Sequence, residues 1–256
     1  MNIITCFKVV PEEQDIMIKP NGDLAFERAK LTISNYDLNG VEAGAQLKEA
    51  HGGTVVALSV GAASINDTKL KKNVLSRGAD SLYLVADESF AGMDTHQTAC
   101  VLKAAIEKVG EYDLVLCGEG SADLYAQQVG IQVGQLLNLP TINSVTKITV
   151  ENGKMIVQRA LENEVETLEV SLPAVLSVTS DINLPRIPSL KQILDAGKKT
   201  SVVWQAGDIT TARPAHTIEV LETKAPKQVK RKQEIIEGDS DEAIAKFIQK
   251  ISEELK

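Results

Sequence analysis

Several features that would assign this chain to a common class of protein are absent or scarce. The 256 residues contain no run of eighteen apolar residues, and the start MNIITCFKVV is short for a signal peptide and lacks a small-residue cleavage site. The net charge of -8 opposes non-specific binding to nucleic acid, which requires a basic surface. The three cysteines lack metal-ligand spacing, as is typical of reduced thiols. We therefore expect a cytoplasmic protein that neither binds nucleic acid nor inserts directly into a membrane.

Motifs for bond-breaking chemistry are also missing. The sequence has no GxGxxG turn after its first apolar run, no GxxxxGK[ST] loop, no GxSxG elbow and no HExxH pair. His51, His96 and His216 are scattered, without the spacing of metal ligands. These absences favour a protein that binds or carries a ligand over an enzyme.

Apolar runs alternate with amphipathic segments over the first 140 residues. The pattern predicts strands at 3–10, 54–60, 82–85 and 114–117, and helices at 38–50, 66–76, 95–109 and 124–137. Such alternation indicates right-handed βαβ crossovers. The predicted fold class is therefore α/β, with a doubly wound parallel sheet.

Beyond Pro140 the pattern changes. Segments 145–150, 155–161 and 164–172 alternate apolar with polar residues, and Asn152-Gly153 is a strong hairpin signal, so an antiparallel hairpin appendage is predicted at 145–172. A strand at 174–178 then precedes a proline-containing loop at 180–199 and a helix at 190–196. We divide the chain into an α/β domain, 1–204, and a C-terminal arm with a final helix, 205–256; the arm covers either this chain's own surface or a partner's.

The stretch 114–134, LVLCGEGSADLYAQQVGIQVG, is the strongest candidate for a site. An apolar strand that ends in a glycine turn and opens a helix directs backbone amides towards one place, where a phosphate would be stabilised. Ligands of doubly wound sheets lie beyond the strand carboxyl ends, so Lys8, Gly61 and Gly118 should converge. Lys8 is either a cation facing a phosphate or a lysine extending to solvent at a strand end.

Six ordered segments together resemble one family. They are ITCFKVVPEEQD, SNYDLNGVEAG, LSVGAA, VLSRGAD, GEGSADLYAQQVG and SDINLPRIPSLKQILDAGKK. They resemble the β subunit of electron-transfer flavoproteins, most closely the Fix-type members, over roughly residues 1 to 205. The resemblance implies an adenine-nucleotide α-hydrolase-like sheet. It also implies an electron carrier that forms a heterodimer with an FAD-holding α subunit and relays electrons from flavin-linked dehydrogenases to a membrane quinone reductase.

By that resemblance the chain binds an adenine nucleotide, either AMP or, in electron-bifurcating members, a second FAD. The matching positions are Cys6, Lys8, Asn35, Val60, Gly61, Asp123, Gln127, Gln128 and Val129. Two departures leave the choice of nucleotide open: Leu124-Tyr125-Ala126 stands where bifurcating members have Gly-Asp-Thr, and Val129 replaces the threonine of simple carriers. The Fix-type resemblance favours FAD.

The resemblance also makes 180–199 a recognition loop, in which Leu190 anchors in a pocket of the partner dehydrogenase. A proline-stiffened loop suits this role because little entropy is lost on docking. The competing interpretation is that Leu190 begins an ordinary core helix. Arg186, Lys191 and Lys198 either attract acidic partners or compensate a helix dipole. The resemblance further predicts that the C-terminal arm, 205–256, wraps the partner subunit.

A second function class shares this sheet. A universal-stress-type regulatory protein would bind ATP or AMP without a redox role. Such a module usually ends near residue 145, so the hairpin and the 180–199 loop favour the electron carrier.

Overall fold

The computed structural model describes residues 1–151, 153–210, 214, 216, 218–227 and 233–255. Asn152 of the predicted hairpin turn therefore lies outside the described residues, as do residues 211–213, 215, 217, 228–232 and 256 of the predicted arm. The arm's proposed contact with a partner stays a prediction, and so does the division of the chain at residue 204.

The first half of the chain alternates strands with helices. Its elements are β1 Asn2–Cys6, β2 Val9–Pro11, β3 Met17–Ile18, β4 Leu24–Ala25, β5 Leu31–Ile33, α1 Asn35–His51, β6 Thr54–Gly61, α2 Thr68–Ser76, β7 Ser81–Ala86, α3 Thr95–Val109 and β8 Leu114–Gly118. Asp67 caps α2, and Asp94 with Gln97 forms a capping box on α3. These local signals explain why α2 and α3 begin close to their predicted positions.

The second half is richer in strands. Its elements are α4 Val129–Leu137, β9 Thr141–Glu151, β10 Lys154–Ala160, β11 Val165–Val170, β12 Ala174–Val178, α5 Leu190–Ala196, β13 Thr200–Trp204 and α6 Asp241–Glu254. The predicted bounds of α5 are confirmed. Ser189 caps this helix and pairs with Gln192 in a capping box, which fixes where it begins.

One nine-stranded sheet, in the order β11-β10-β9-β12-β8-β1-β6-β7-β13, organises the chain. The seven strands from β9 to β13 in this order are parallel, whereas β10 and β11 are antiparallel. From β1 the chain adds β6 and β7 on one side and β8 and β12 on the other, so the order reverses between β1 and β8. The doubly wound parallel sheet is confirmed, and its switch point lies between these two strands.

Both faces of the sheet are covered by helices, which explains the continuous apolar strands. One core includes Val41 of α1 and Val74 of α2, packed with strand residues such as Leu116. The other includes Leu102 of α3 and Val133 of α4. The side chains of β1, β8 and β12 that face either core are almost wholly buried. The sheet centre is therefore a rigid base for whatever lies at its carboxyl edge.

Two sequence-based details need correction. The predicted strand 3–10 is two strands, because after Cys6 the chain leaves the large sheet and β2 pairs antiparallel with β5. The predicted helix 124–137 begins only at Val129, since Tyr125 and Gln127 have left-handed φ angles of 46° and 55°. The predicted antiparallel hairpin is confirmed by the pairing of β9 with β10. Its first strand begins at Thr141, where β9 pairs in parallel with β12, so the hairpin extends the main sheet.

The structure separates into two compact units, Met1–Met17 with Ala25–Glu222, and Ile18–Leu24 with Thr223–Lys256. The first contains the large sheet. In the second, Lys224 forms an antiparallel β-bridge with Asp23. Helix α6 carries apolar side chains, of which Phe247 and Ile248 are more than half exposed. In the part of the chain that is described, every helix is too short or too polar to cross a membrane.

Candidate functional site

Lys8 lies at the switch point, just beyond the carboxyl end of β1. Its amine is 2.5 Å from the carboxylate of Asp123 and 3.5 Å from the hydroxyl of Ser121, both in the loop that follows β8. The residues that follow β1 and β8 are therefore in direct contact. Because the Lys8 side chain is still 43% exposed, its charge is available to a ligand at this edge.

Asp37, in the first turn of α1, connects the ends of β1 and β8 through its carboxylate. One carboxylate oxygen accepts from the Lys8 amide at 2.7 Å, and the other accepts from the Gly118 amide at 3.1 Å. Burial raises the pKa of Asp37 from 3.8 to about 7, against the lowering effect of these two hydrogen bonds and of the Lys8 charge. The carboxyl therefore fixes the spacing between β1 and β8.

Gly118 ends β8 where α1 approaches most closely. A Cβ at this position would lie 2.6 Å from the Asp37 carboxylate and 2.8 Å from the backbone carbonyl carbon of Tyr36. Backbone atoms cannot move aside as a flexible side chain can. The close approach of the start of α1 to the end of β8 therefore requires glycine at this position.

We expect Gly118→Ala to lower the free energy of unfolding by about 1–3 kcal/mol, the usual cost of overpacking. Urea unfolding followed by circular dichroism measures it. Gly207→Ala is the matched control, because nothing lies within 4 Å of a Cβ built there. Equal unfolding midpoints for the two variants would contradict the close approach at Gly118.

The end of β6 adjoins β1 on its other side. Val60 and Gly61 are partly exposed at the same edge as Lys8, because β6 pairs in parallel with β1. One residue earlier, the Ser59 hydroxyl is fully buried and has no hydrogen-bond partner among the described residues. Such an orphaned polar atom beside a strand end is consistent with a bound polar group that would complete its hydrogen bonding.

The loop 119–128 forms the wall beyond β8. The Tyr125 ring packs on Tyr36, with ring centroids 4.9 Å apart, and burial together with a hydrogen bond to Glu119 raises the pKa of Tyr125 to about 12. The Ala122 amide donates to the Ser34 hydroxyl. In the described structure, Gln128 provides no side-chain cap to α4. The first amides of α4 therefore remain available to an anion.

The predicted nucleotide-binding residues do not all present side chains to this edge. Lys8 and Asp123 are in contact, and Val129 begins α4. Asn35, the first residue of α1, is exposed.

Of the remaining predicted residues, one is buried and two lie just before α4. The Cys6 side chain is buried and forms a hydrogen bond with the Cys117 side chain. This hydrogen bond and the burial raise the pKa of the Cys6 thiol, so only the Cys6 backbone is able to contact a ligand. Gln128 accepts a hydrogen bond from Thr95 of α3 at 2.7 Å, and Gln127 precedes it in a left-handed conformation. Both glutamines lie before α4 instead of inside it.

The loop 183–189 and helix α5 form a second candidate site. Leu190 begins α5, but its side chain is 74% exposed and is not part of the core; Ile187 is 92% exposed. Lys191 is exposed and makes no ion pair with another described residue, whereas Lys198 pairs with Asp195 at 2.9 Å. Arg186 instead points inward, where Glu42 and Glu49 neutralise it. Its predicted attraction of acidic partners stays a prediction.

The Arg186 pair gives the stability a defined pH dependence. Burial opposes ionisation of Glu42, but hydrogen bonds from the Arg186 side chain, the Arg186 amide and Gln46 outweigh it, so the Glu42 pKa lies below 4.5. A lowered folded-state pKa stabilises the fold above the unfolded-state value, and this stabilisation is lost as the pH falls through the folded-state value.

Glu42→Gln should therefore reduce the loss of unfolding free energy on acidification below pH 4.5. Thermal unfolding between pH 3 and pH 7 measures this, with Glu253→Gln on α6 as the control. A slope below pH 4.5 identical to that of the unchanged chain would show that Glu42 is not held ionised by Arg186.

Sequence reasoning missed the roles of Asp37, Glu42 and Ser34. The motif SNYDLNGVEAG contains all three. A signal was present, because Asp37 and Glu42 fall on the apolar side of α1, beside Val41 and Leu38. Buried acidic side chains require partners, but the sequence does not show which ones.

The arrangement can hold an anion-bearing ligand at the edge of the sheet. It offers a lysine amine, a serine hydroxyl and uncapped helix amides, with Asp123 able to orient the amine or to accept from a sugar hydroxyl. A comparison with known families gives an independent result. The family model described as the electron transfer flavoprotein domain matches residues 23–209, more than half of the chain.

Proposed function

The chain belongs to the electron transfer flavoprotein family, and from that premise we propose that it is the β subunit of a heterodimeric carrier. The family consists of electron carriers and not of enzymes. In the proposed role, the chain pairs with an FAD-holding α subunit, accepts electrons from a flavin-linked dehydrogenase and passes them towards a membrane quinone reductase. The order of the six resembling segments supports the β assignment, and a cytoplasmic location stays a prediction.

The observation that carries the proposal is the contact of Lys8 with the loop after β8 at the switch point. The residues present fit an adenine nucleotide. The Lys8 amine and the first amides of α4 would hold its phosphate, while the ends of β1 and β6 would line its sugar and base. A second FAD in this place would supply an additional one-electron or two-electron carrier, whereas AMP would serve only structurally.

AMP and FAD remain the two proposed occupants. Loss of the Gly-Asp-Thr hydroxyl and the presence of Val129 remove two expected phosphate contacts. Lys8 and Ser121 provide a cation and a hydroxyl in the same neighbourhood. Electron bifurcation is proposed only for the FAD-bound form.

The exposed Leu190 supports docking to a dehydrogenase. Its side chain is projected from the start of α5, where Ser189 and Gln192 fix the helix, so little conformational entropy would be lost on insertion into an apolar pocket. Lys191 beside it is exposed and makes no ion pair within the described part of the chain, so its charge is suited to an acidic rim around that pocket.

Co-expression with an electron-transfer flavoprotein α subunit tests this proposal. We expect a stable complex whose flavin is reduced by a flavin-linked dehydrogenase. A universal-stress-type regulator, the disfavoured alternative, would be colourless, would associate only with itself and would hydrolyse ATP. Failure to bind the α subunit, together with ATP hydrolysis, would overturn the carrier assignment.

A further inference from the structure

Within the loop 183–189, which we call the docking loop, Arg186 makes the largest number of hydrogen bonds among the described residues. Its guanidinium donates to both carboxylate oxygens of Glu42, at 2.7 and 3.0 Å, and to both oxygens of Glu49, at 2.6 and 3.2 Å. The Arg186 amide also donates to Glu42, at 3.1 Å. Glu42 is almost fully buried, so this forked contact is screened little by solvent.

Two further contacts hold the same loop. Asn39 of α1 donates to the Asn183 carbonyl at 2.8 Å, and the Asn183 amide group donates back to the Asn39 carbonyl at 3.1 Å. Arg77, the residue that follows α2, donates to the Arg186 carbonyl at 2.5 Å. Hydrogen bonds from α1 and from the end of α2 therefore hold the loop on both sides of Pro185.

Apolar residues close to Arg186 in the chain are exposed. Ile187 and Leu190 stand out from the surface, while Pro185 and Pro188 restrict the backbone between them. An isolated extended loop would place these side chains in many directions. The hydrogen bonds of Arg186 and Asn183 restrict the loop, so that a partner would meet apolar side chains already in position.

We propose that Arg186, held by Glu42, is a positioning residue that presents Ile187 and Leu190 to an apolar pocket on a partner protein. The inference rests on the proposed docking function. This role does not require Arg186 to attract the partner, because two carboxylates of the same chain surround its charge. Its contribution is to lower the conformational freedom that docking would otherwise remove.

The test uses the complete heterodimer and measures flavin reduction by the dehydrogenase. Arg186→Met, which keeps an unbranched apolar stem, should raise the KM for the dehydrogenase about 10-fold, with kcat changed less than 2-fold and nucleotide content intact. Arg186→Lys should give an intermediate KM, since a single ammonium cannot bond both carboxylates bidentately. Glu49→Gln is the matched control, because it removes only the exposed half of the contact.

A double-mutant cycle separates positioning from other roles. If Arg186 acts through Leu190, Arg186→Met should add less than 2-fold to the KM of Leu190→Ala. Two effects that multiply fully would overturn the proposal, as would an unchanged KM in Arg186→Met. When Leu190→Ala itself has no effect, the docking function fails; when it has a large effect and Arg186→Met has none, only the positioning role fails.

A variant without a charge change covers failure of Arg186→Met to fold. Asn183→Ala removes the amide pair with Asn39 and leaves the ion pairs in place. It should raise KM about 3-fold, with the same dependence on Leu190. An unchanged KM in Asn183→Ala, at an unchanged unfolding temperature, would count against a positioned loop.

Discussion

Replacing Leu190 with alanine should raise the KM for the partner dehydrogenase about 30-fold, which corresponds to the ~2 kcal/mol of an interface hot spot. The physical reason is the loss of an exposed apolar anchor, 74% accessible in this chain, that would be buried in the complex. Nucleotide content and unfolding temperature should not change, because the side chain contributes little to the core. Steady-state reduction of the bound flavin at varied dehydrogenase concentration measures the effect.

The control for Leu190 is Val165→Ala on β11. Val165 is also an exposed apolar residue, at 64%, but it lies in the outermost strand of the sheet. The KM of the Val165→Ala variant for the dehydrogenase should remain unchanged. If both variants behaved like the original chain, Leu190 would not be an anchor; if both lost activity equally, the effect would not be specific to the loop.

Replacing Lys8 with glutamine should weaken adenine-nucleotide binding roughly 10- to 100-fold, since a hydrogen bond to a charged group contributes about 1.5–3 kcal/mol. Lys8 is the cation that reaches from β1 into the loop after β8. The measurement is titration of the nucleotide-stripped heterodimer with AMP and, separately, with FAD. The variant also reports which nucleotide depends on this amine.

Lys154→Gln controls for removal of an ion-paired lysine. Lys154 pairs with Glu169 at 2.9 Å on the antiparallel strands, as Lys8 pairs with Asp123, but it is not at the carboxyl edge of β1. Its nucleotide affinity should match that of the original chain. Equal affinities in Lys8→Gln and Lys154→Gln would remove Lys8 from the site.

The features that could be predicted from sequence were those that local patterns determine. Apolar runs located the central strands, and the capping residues Asp94 and Ser189 fixed the starts of α3 and α5. The reversal of strand order then placed the candidate site at the carboxyl ends of β1 and β8.

The features that could not be predicted from sequence depend on contacts between residues that are distant in the chain. Beyond the end of the first strand, the Lys8 amide bonds Asp37, 29 residues away. Arg186 turns inward because it pairs with Glu42, 144 residues away. No local pattern specifies either partner. The left-handed conformation of Tyr125, which delays the start of α4, is likewise unexpected for a bulky residue and accompanies its packing on Tyr36.

Different residues of α1 contact the strand ends and the loop that precedes α5. The first turn of α1 holds the strand ends through Asp37, and its next turns hold the docking loop through Asn39 and Glu42. One helix therefore supports both candidate sites. Gly118, at the first of them, leaves room for that helix to approach β8.

The most direct measurement is the number of adenine-containing molecules in the natively purified complex, determined by release, chromatography and absorbance. The account predicts two per heterodimer: the FAD of the α subunit, and one nucleotide held by this chain that Lys8→Gln reduces. If the second is AMP, bifurcation is rejected; if it is FAD, bifurcation is favoured. A complex with one adenine-containing molecule, or a chain purified without an α subunit, would contradict the central claim.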